Sequence, residues 1–391
     1  MKYNFDQIID RTASNAIKYH FRQQIFGTED LLPMWVADMD IQTAPFITEA
    51  LQKRATHPIY GYEMLPESAH QAQIDWMQRR HQLIIERETM LFSPSVVTTI
   101  NVAIQAFTQP GDNIIVQQPV YFPFFNSVKN NDRELLSNPL KKLPNGDWTF
   151  DIEQLKSVVN QQTKLLILCS PHNPVGRVWT RAELQSLADI CLENNIIVLA
   201  DEVHSDLIYK PYKHIPFASL SETVNNITLT AIGPGKTFNL AGLASSTVVI
   251  ANPELRQKFS KTSEVNHIGY GNIFGNVAFE AAYSQGDEWL DQLLDYLQIN
   301  IAALQQLCSR FPDKISMIAP QGTYLAWINC SGLQMNRQQL LKFFTEEVKL
   351  GLGAGALYGS GGRQYMRLNF AVPKAILNQA IALIEDKLRV H

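Results

Sequence analysis

No stretch of this chain stays apolar for the roughly eighteen residues a helix needs to cross a bilayer, so the sequence predicts no membrane span. Basic runs are absent as well. A net charge of −4 gives no long-range pull toward nucleic acid or anionic lipid. The opening residues, Met1 to Asp6, hold no apolar core, which predicts no secretory signal. Cysteine is scarce: Cys169, Cys191, Cys308 and Cys330 are the only four, and their spacing fits no metal-ligand pattern, so no metal site is expected. Cys169 and Cys330 fall in apolar runs and read as buried thiols, which predicts a reducing, cytoplasmic compartment. No internal repeat and no low-complexity linker is visible. What remains is ordinary globular composition, 46% hydrophobic and 18% charged over 391 residues. That length suits two domains, or one large α/β domain with an addition.

Apolar runs of strand length alternate with amphipathic segments from Ile114 to about Ile250. Segments 114–118, 164–169, 196–200, 227–232 and 244–250 read as strands. Arg181 to Glu193 reads as a helix, with Thr180 as N-cap and Glu183 at its third position. This alternation predicts a mostly parallel sheet covered on both faces. Leucines at 290, 293, 294 and 297 recur at helical spacing, so Asp287 to Phe311 reads as one long helix. A C-terminal α+β part follows, with strands at Tyr324–Asn329 and Tyr365–Phe370 and helices at Arg337–Lys349 and Pro373–Val390.

Three of the strands run into polar groups. One leads to Asn173 in Ser-Pro-His-Asn-Pro-Val-Gly, one ends at Asp201, and one leads to Lys236 in Gly-Pro-Gly-Lys-Thr-Phe-Asn. In open α/β sheets the ligand crevice lies at the carboxyl ends of the strands, so the three should converge. A lysine buried there loses its proton more readily and can attack a carbonyl. Together the three suit pyridoxal phosphate: the lysine for the aldehyde and the substrate's α-proton, the aspartate for the ring nitrogen, the asparagine for the ring oxygen. The aspartate is the strongest electrostatic contributor. Unit charges ~4 Å apart interact by about 4 kcal/mol at an effective dielectric near 20.

The order Asn-Pro-x-Gly, Asp-Glu-x-His, Lys-Thr-Phe-Asn-Leu-Ala-Gly-Leu resembles fold-type I, class I/II aminotransferase-like enzymes. Further matches are Pro33 to Asp40, Tyr60-Gly61-Tyr62, Pro119 to Phe124 and Met366 to Phe370. Within that superfamily the chain is similar to the MalY/PatB type of cystathionine or cysteine-S-conjugate β-lyase, with Trp35-Val36-Ala37-Asp38-Met39-Asp40 as the most specific marker. The resemblance implies a PLP-dependent transferase fold, with a large mixed-sheet domain (46–285) and a small α+β domain (1–45 with 286–391). It implies cleavage of L-cystathionine or related S-conjugates to a thiol, pyruvate and ammonia, in a homodimer with composite active sites.

It also assigns roles. Tyr121 becomes a plate under the ring, where an aromatic core cluster is the other reading. Arg367 becomes the fork for the substrate carboxylate, against a buried structural ion pair. Ala37 lies at the substrate, and Tyr60 reaches the neighbouring subunit's cofactor, against a plain surface turn. Ser95 precedes a helix expected from about Thr99 to Phe107. The backbone N–H groups there, Val96 and Val97 among them, suit a phosphate, while Ser95 also reads as a simple N-cap. Relatives usually carry serine where Gly235 stands and an arginine where Ala244 stands. Phosphate binding therefore leans on backbone amides, Thr237 and the other subunit. Glu202 reads as structural, His204 equally as a satisfied structural histidine or a functional one, and the six glycines between 351 and 362 as a flexible segment beside the site. Two other functions fit the same residues: an aminotransferase, and a non-catalytic regulatory binding protein on this fold.

Overall fold

The computed structural model describes residues 2–391. Seven strands form the main sheet: β1 (Met90–Ser93), β2 (Asn113–Val116), β3 (Glu134–Ser137), β4 (Thr163–Cys169), β5 (Ile197–Asp201), β6 (Thr228–Ile232) and β7 (Ser246–Ile250). Their order is β1-β7-β6-β5-β4-β2-β3. β7 runs antiparallel to both its neighbours, and the remaining pairs are parallel. Pleating sorts β4 between two cores. Leu166 and Leu168 pack with the helix Arg181–Glu193, whereas Leu165 and Ile167 face the helix Val96–Phe107. A strand buried on both faces must be apolar throughout, which is why Leu165 to Cys169 shows no polar alternation.

The capping box at Thr180 forms as expected, with Glu183 N–H donating to Thr180 Oγ1 and Thr180 N–H to Glu183 Oε2. The helix expected from Thr99 starts earlier, at Val96, because Ser95 Oγ accepts the Thr98 N–H at 3.2 Å and caps it. The long helix spans Asp287–Arg310. Arg337–Lys349 is not a uniform helix. It runs as α-helix to Lys342 and then as π-helical turns over Phe343–Glu347, where Phe343, Phe344 and Thr345 are all buried.

A second sheet of four strands (Ser316–Met317, Leu325–Asn329, Gly353–Ala354, Tyr365–Asn369) belongs to the C-terminal part. The glycine-rich 351–362 stretch is paired rather than free. Gly351 pairs with Pro33 and Gly353 with Arg367. A Cβ at Gly355 would lie 2.2 Å from the Gly362 carbonyl, so close backbone approach explains the glycines there. The N-terminal segment packs on the same part, with Leu32 opposite Leu350 and Phe5 edge-on to Trp289. Among the described residues no helix is long and apolar enough to cross a membrane.

Candidate active site

β4, β5 and β6 deliver their polar ends to one cavity. Asp201 closes β5, between Cys169 and Ala231 of the neighbouring strands. Asn173 follows β4 in a loop whose turn residue Gly176 has φ +74°, and a Cβ there would meet Pro320 at 2.7 Å. Lys236 sits in a single helical turn, Pro234–Thr237, just beyond β6. Tyr121, Ala37, Val96 and Val97 line it as well. Tyr121 donates its N–H to the Asn173 carbonyl, 3.1 Å away, so these two are mutually placed.

The Trp35–Asp40 run is a strip of carbonyls that the site's cations read. Lys236 Nζ and Tyr324 Oη donate to Ala37 O, at 2.7 and 2.9 Å. Arg367 Nη2 donates to Trp35 O at 2.7 Å, and Asn369 Nδ2 donates to both Val36 O and Asp38 O. The two aspartates point the other way, to Arg11 and the fully buried Lys18. Arg367 is buried, and the partners found for it are a carbonyl and an amide rather than the carboxylate of a structural ion pair. Its Nη1 donates to Asn173 Oδ1 at 3.1 Å, which leaves Asn173's NH2 as the side free to donate. Its Nε is buried with no acceptor among the described residues.

Burial sets the protonation pattern. It pushes Asp201 up to about 7, because one Val203 N–H and the nearby Lys236 charge offset only part of the desolvation. Burial, helped by the Arg367 charge, brings Lys236 down to about 8. Burial also holds His204 well below its ordinary value, so it is a neutral imidazole. The Tyr121 phenol is raised by burial and then by the Asp201 charge, and stays protonated. The cavity is therefore built with a carboxylate lacking a cation and a lysine poised to lose its proton.

Arg367 sits beside the cavity, bonded to Asn173, rather than in its lining, and two residues fall elsewhere. Thr237 does not line the cavity; its hydroxyl donates to Asp206 Oδ2 at 2.7 Å, behind the lysine. Tyr60 is exposed and lines a separate hollow with Phe274, its hydroxyl on Ala55 O. Among the residues not singled out for the cavity that do line it are Ser245, Ser246 and His204. Ser245 Oγ and His204 Nδ1 are buried with no partner among the described residues. Gly235, where relatives usually carry serine, has ordinary backbone, and a Cβ there would meet Ala241 at a comfortable 3.5 Å. A side chain is thus permitted at Gly235.

The family model for aminotransferase class I and II matches residues 31–384. Cystathionine beta-lyase PatB of Bacillus subtilis is 40% identical over 386 residues, 98% of this chain and 100% of that protein. Protein MalY of Escherichia coli is 31% identical over 396 residues, 99% of each. The crystal structure of a PLP-bound C-S lyase from Staphylococcus hominis superimposes with TM-score 0.91 at 30% identity, covering 99% of this chain and 98% of that one.

Proposed function

The chain belongs to the aminotransferase class I and II family, and we propose that it is a pyridoxal-phosphate-dependent carbon–sulfur β-lyase. Its substrates are L-cystathionine or related cysteine S-conjugates, and its products a thiol, pyruvate and ammonia. The cavity suits that cofactor in four respects. Asp201 lacks a cation, Lys236 is pushed toward its neutral form, Ser245 Oγ has no partner, and the Val96 and Val97 N–H groups open a helix and have no intrahelical acceptor. Bound there, pyridoxal phosphate supplies an electron-withdrawing ring that stabilises negative charge at the substrate α-carbon. Asp201 would hold the ring nitrogen protonated, Asn173 would donate to the ring oxygen and Tyr121 would pack on the ring. Ser245 and the helix start at Val96 and Val97 would hold the phosphate. Arg367 grips the substrate carboxylate beside Ala37. Lys236, the catalytic residue, takes the α-proton as the β-carbon–sulfur bond breaks and the thiolate leaves.

The observation that carries the reading is the meeting of Asp201, Lys236 and Arg367 around the Trp35–Asp40 strip, in a chain whose relatives include carbon–sulfur lyases. The test is a coupled assay for pyruvate with L-cystathionine and no keto acid. Pyruvate at a rate proportional to enzyme is expected. Amino transfer to 2-oxoglutarate without pyruvate would make the chain an aminotransferase instead.

The proposal has a stability consequence. A carboxylate raised from 3.8 to about 7 stabilises fully below its unfolded value, and that stabilisation is lost as pH climbs to about 7. Above that, the buried charge costs up to about 4 kcal/mol in the cofactor-free protein. Asp201→Asn should therefore raise the Tm of cofactor-free protein by a few degrees at pH 8, leave it unchanged near pH 4, and abolish activity. Calorimetry at the two pH values checks this, and equal shifts at both would refute it.

Ile59, Tyr60, Tyr62, Met64 and Tyr270 are all exposed, and Tyr60, Tyr62 and Tyr270 line one hollow. This supports a homodimer in which Tyr60 serves the other subunit's cofactor. Mixing inactive Tyr60→Phe and Lys236→Ala subunits should restore activity through hybrid dimers. No recovery after confirmed subunit exchange would place each site within one chain. The two separate sheets support a division into 46–285 and 1–45 with 286–391. The four free, buried cysteines support a cytoplasmic setting, which cell fractionation would test.

A further inference from the structure

Lys236 stands on a turn of four residues, too short to hold itself in place. Its N-cap, Gly233, provides no side-chain cap. The anchor comes from below. Thr237 Oγ1 donates to Asp206 Oδ2 at 2.7 Å, and Asp206 Oδ1 is shared by Trp76 Nε1 at 2.9 Å and His81 Nε2 at 2.6 Å. Asp206 and His81 side chains are each only 6% exposed. Burial alone would raise the Asp206 carboxyl, but the His81, Thr237 and Trp76 donors hold it below its ordinary value, so it is a charged, fully engaged acceptor.

The same short stretch carries Asp201 at its other end. Between them, Glu202 is completely buried, accepting the Phe217 N–H at 2.8 Å and facing His214 Nε2 at 3.0 Å. His214 packs edge-on against His81, ring centroids 5.6 Å apart. Residues 201–206 are tied further by Glu202 N–H to Ala231 O and Ser205 N–H to Glu202 O. One braced loop thus holds the Asp201 carboxylate on the cavity side and the lysine turn on the other.

We propose that Asp206, clamped by His81 and Trp76, is a positioning residue that fixes Lys236 through the Thr237 hydroxyl. Neither Asp206 nor Thr237 lines the cavity, so the effect passes through the turn. Placement matters at this point because misplacing a reacting group by ~1 Å can cost about a hundredfold in rate. Besides the Ala37 carbonyl, the charged groups that bear on the lysine ammonium are Arg367, Asp38, Asp201 and Lys18, and none of them is bonded to Thr237 or Asp206.

The inference rests on the lyase reading for its kinetic arm, and a second arm is independent of it. Thr237→Val keeps the shape and deletes the hydroxyl; Thr237→Ser keeps the hydroxyl. In the holoenzyme, Thr237→Val should lose at least tenfold in kcat for pyruvate formation with KM within threefold. Thr237→Ser should stay within twofold of the parent, and Asp206→Asn/Thr237→Val should be no slower than Asp206→Asn. In cofactor-free protein, competitive acetylation of Lys236, followed by peptide mass, should titrate at least half a pH unit higher in Thr237→Val, because a loosened turn lets the ammonium reach water. Should the parent form no pyruvate, the lyase reading falls and the acetylation arm alone decides the positioning role. Parent-like kcat and an unmoved Lys236 titration in Thr237→Val, or equal losses in the valine and serine variants, would overturn the proposal.

Discussion

Lys236→Ala is expected to lower kcat for pyruvate formation by at least about 10³-fold, since a positioned acid–base group contributes roughly 10²–10⁴ and this one also anchors the cofactor. Borohydride treatment of the parent should attach the cofactor's mass to the peptide carrying Lys236, and the variant should carry none. A different tagged lysine would remove Lys236 from its role. A readout without cofactor exists as well. Lys236 titrates near 8 in the folded chain against 10.5 ordinarily, so between those values the unfolded chain binds the extra proton. Stability of cofactor-free protein must then rise with pH from about 8 to 10.5, and Lys236→Ala should flatten that rise. Denaturant midpoints measured across this window test it. An unchanged slope would mean the lysine is not desolvated.

Lys236, Asp201 and Asn173 were legible because each follows an apolar run, and the end of a buried parallel strand is where a polar side chain has a use. Thr237 falls behind the cavity for the reason that brings Lys236 into it. Adjacent residues in a helical turn point about 100° apart, so the neighbour of a cavity residue faces the packing behind it. Ser245 gave no signal: a serine in a small-residue run has no pattern until β7 folds back against β6 and brings it to the cavity. The helix Glu67–His81 escaped detection because its buried face includes His70, Gln73 and His81 beside Trp76 and Met77, which masks apolar periodicity. Those polar residues are buried for a purpose. Gln73 accepts from Thr247 and donates to Tyr283, while Trp76 and His81 clamp Asp206. Hydrophobic pattern locates the sheet well and locates poorly any helix that braces a site with hydrogen bonds.

Arg367→Lys is expected to cost two to three orders of magnitude in kcat/KM for a thioether amino acid, carried mainly by KM. The guanidinium is buried at 4% exposure, with its carbon 5.0 Å from the Tyr358 ring centroid. One Nη is committed to Trp35 O and the other to Asn173 Oδ1, while Nε has no partner among the described residues. A buried cation in this state lacks an anion, and a substrate carboxylate supplies one in the planar geometry that suits a fork. Lysine keeps the charge but offers a point contact and cannot bridge Trp35, Asn173 and a carboxylate together. Losing a buried, hydrogen-bonded charge contact costs about 2–5 kcal/mol, and ~1.4 kcal/mol corresponds to tenfold, so the loss spans about 1.4 to 3.6 orders, with the stated range at its centre. The control is the matching thioether amine without a carboxylate. Its already slow turnover should be the same in parent and variant, because the contact being removed is one it never makes. If Arg367→Lys slows the carboxylate-free amine as much as the amino acid, the arginine serves the architecture of the Trp35–Asp40 strip and not the substrate.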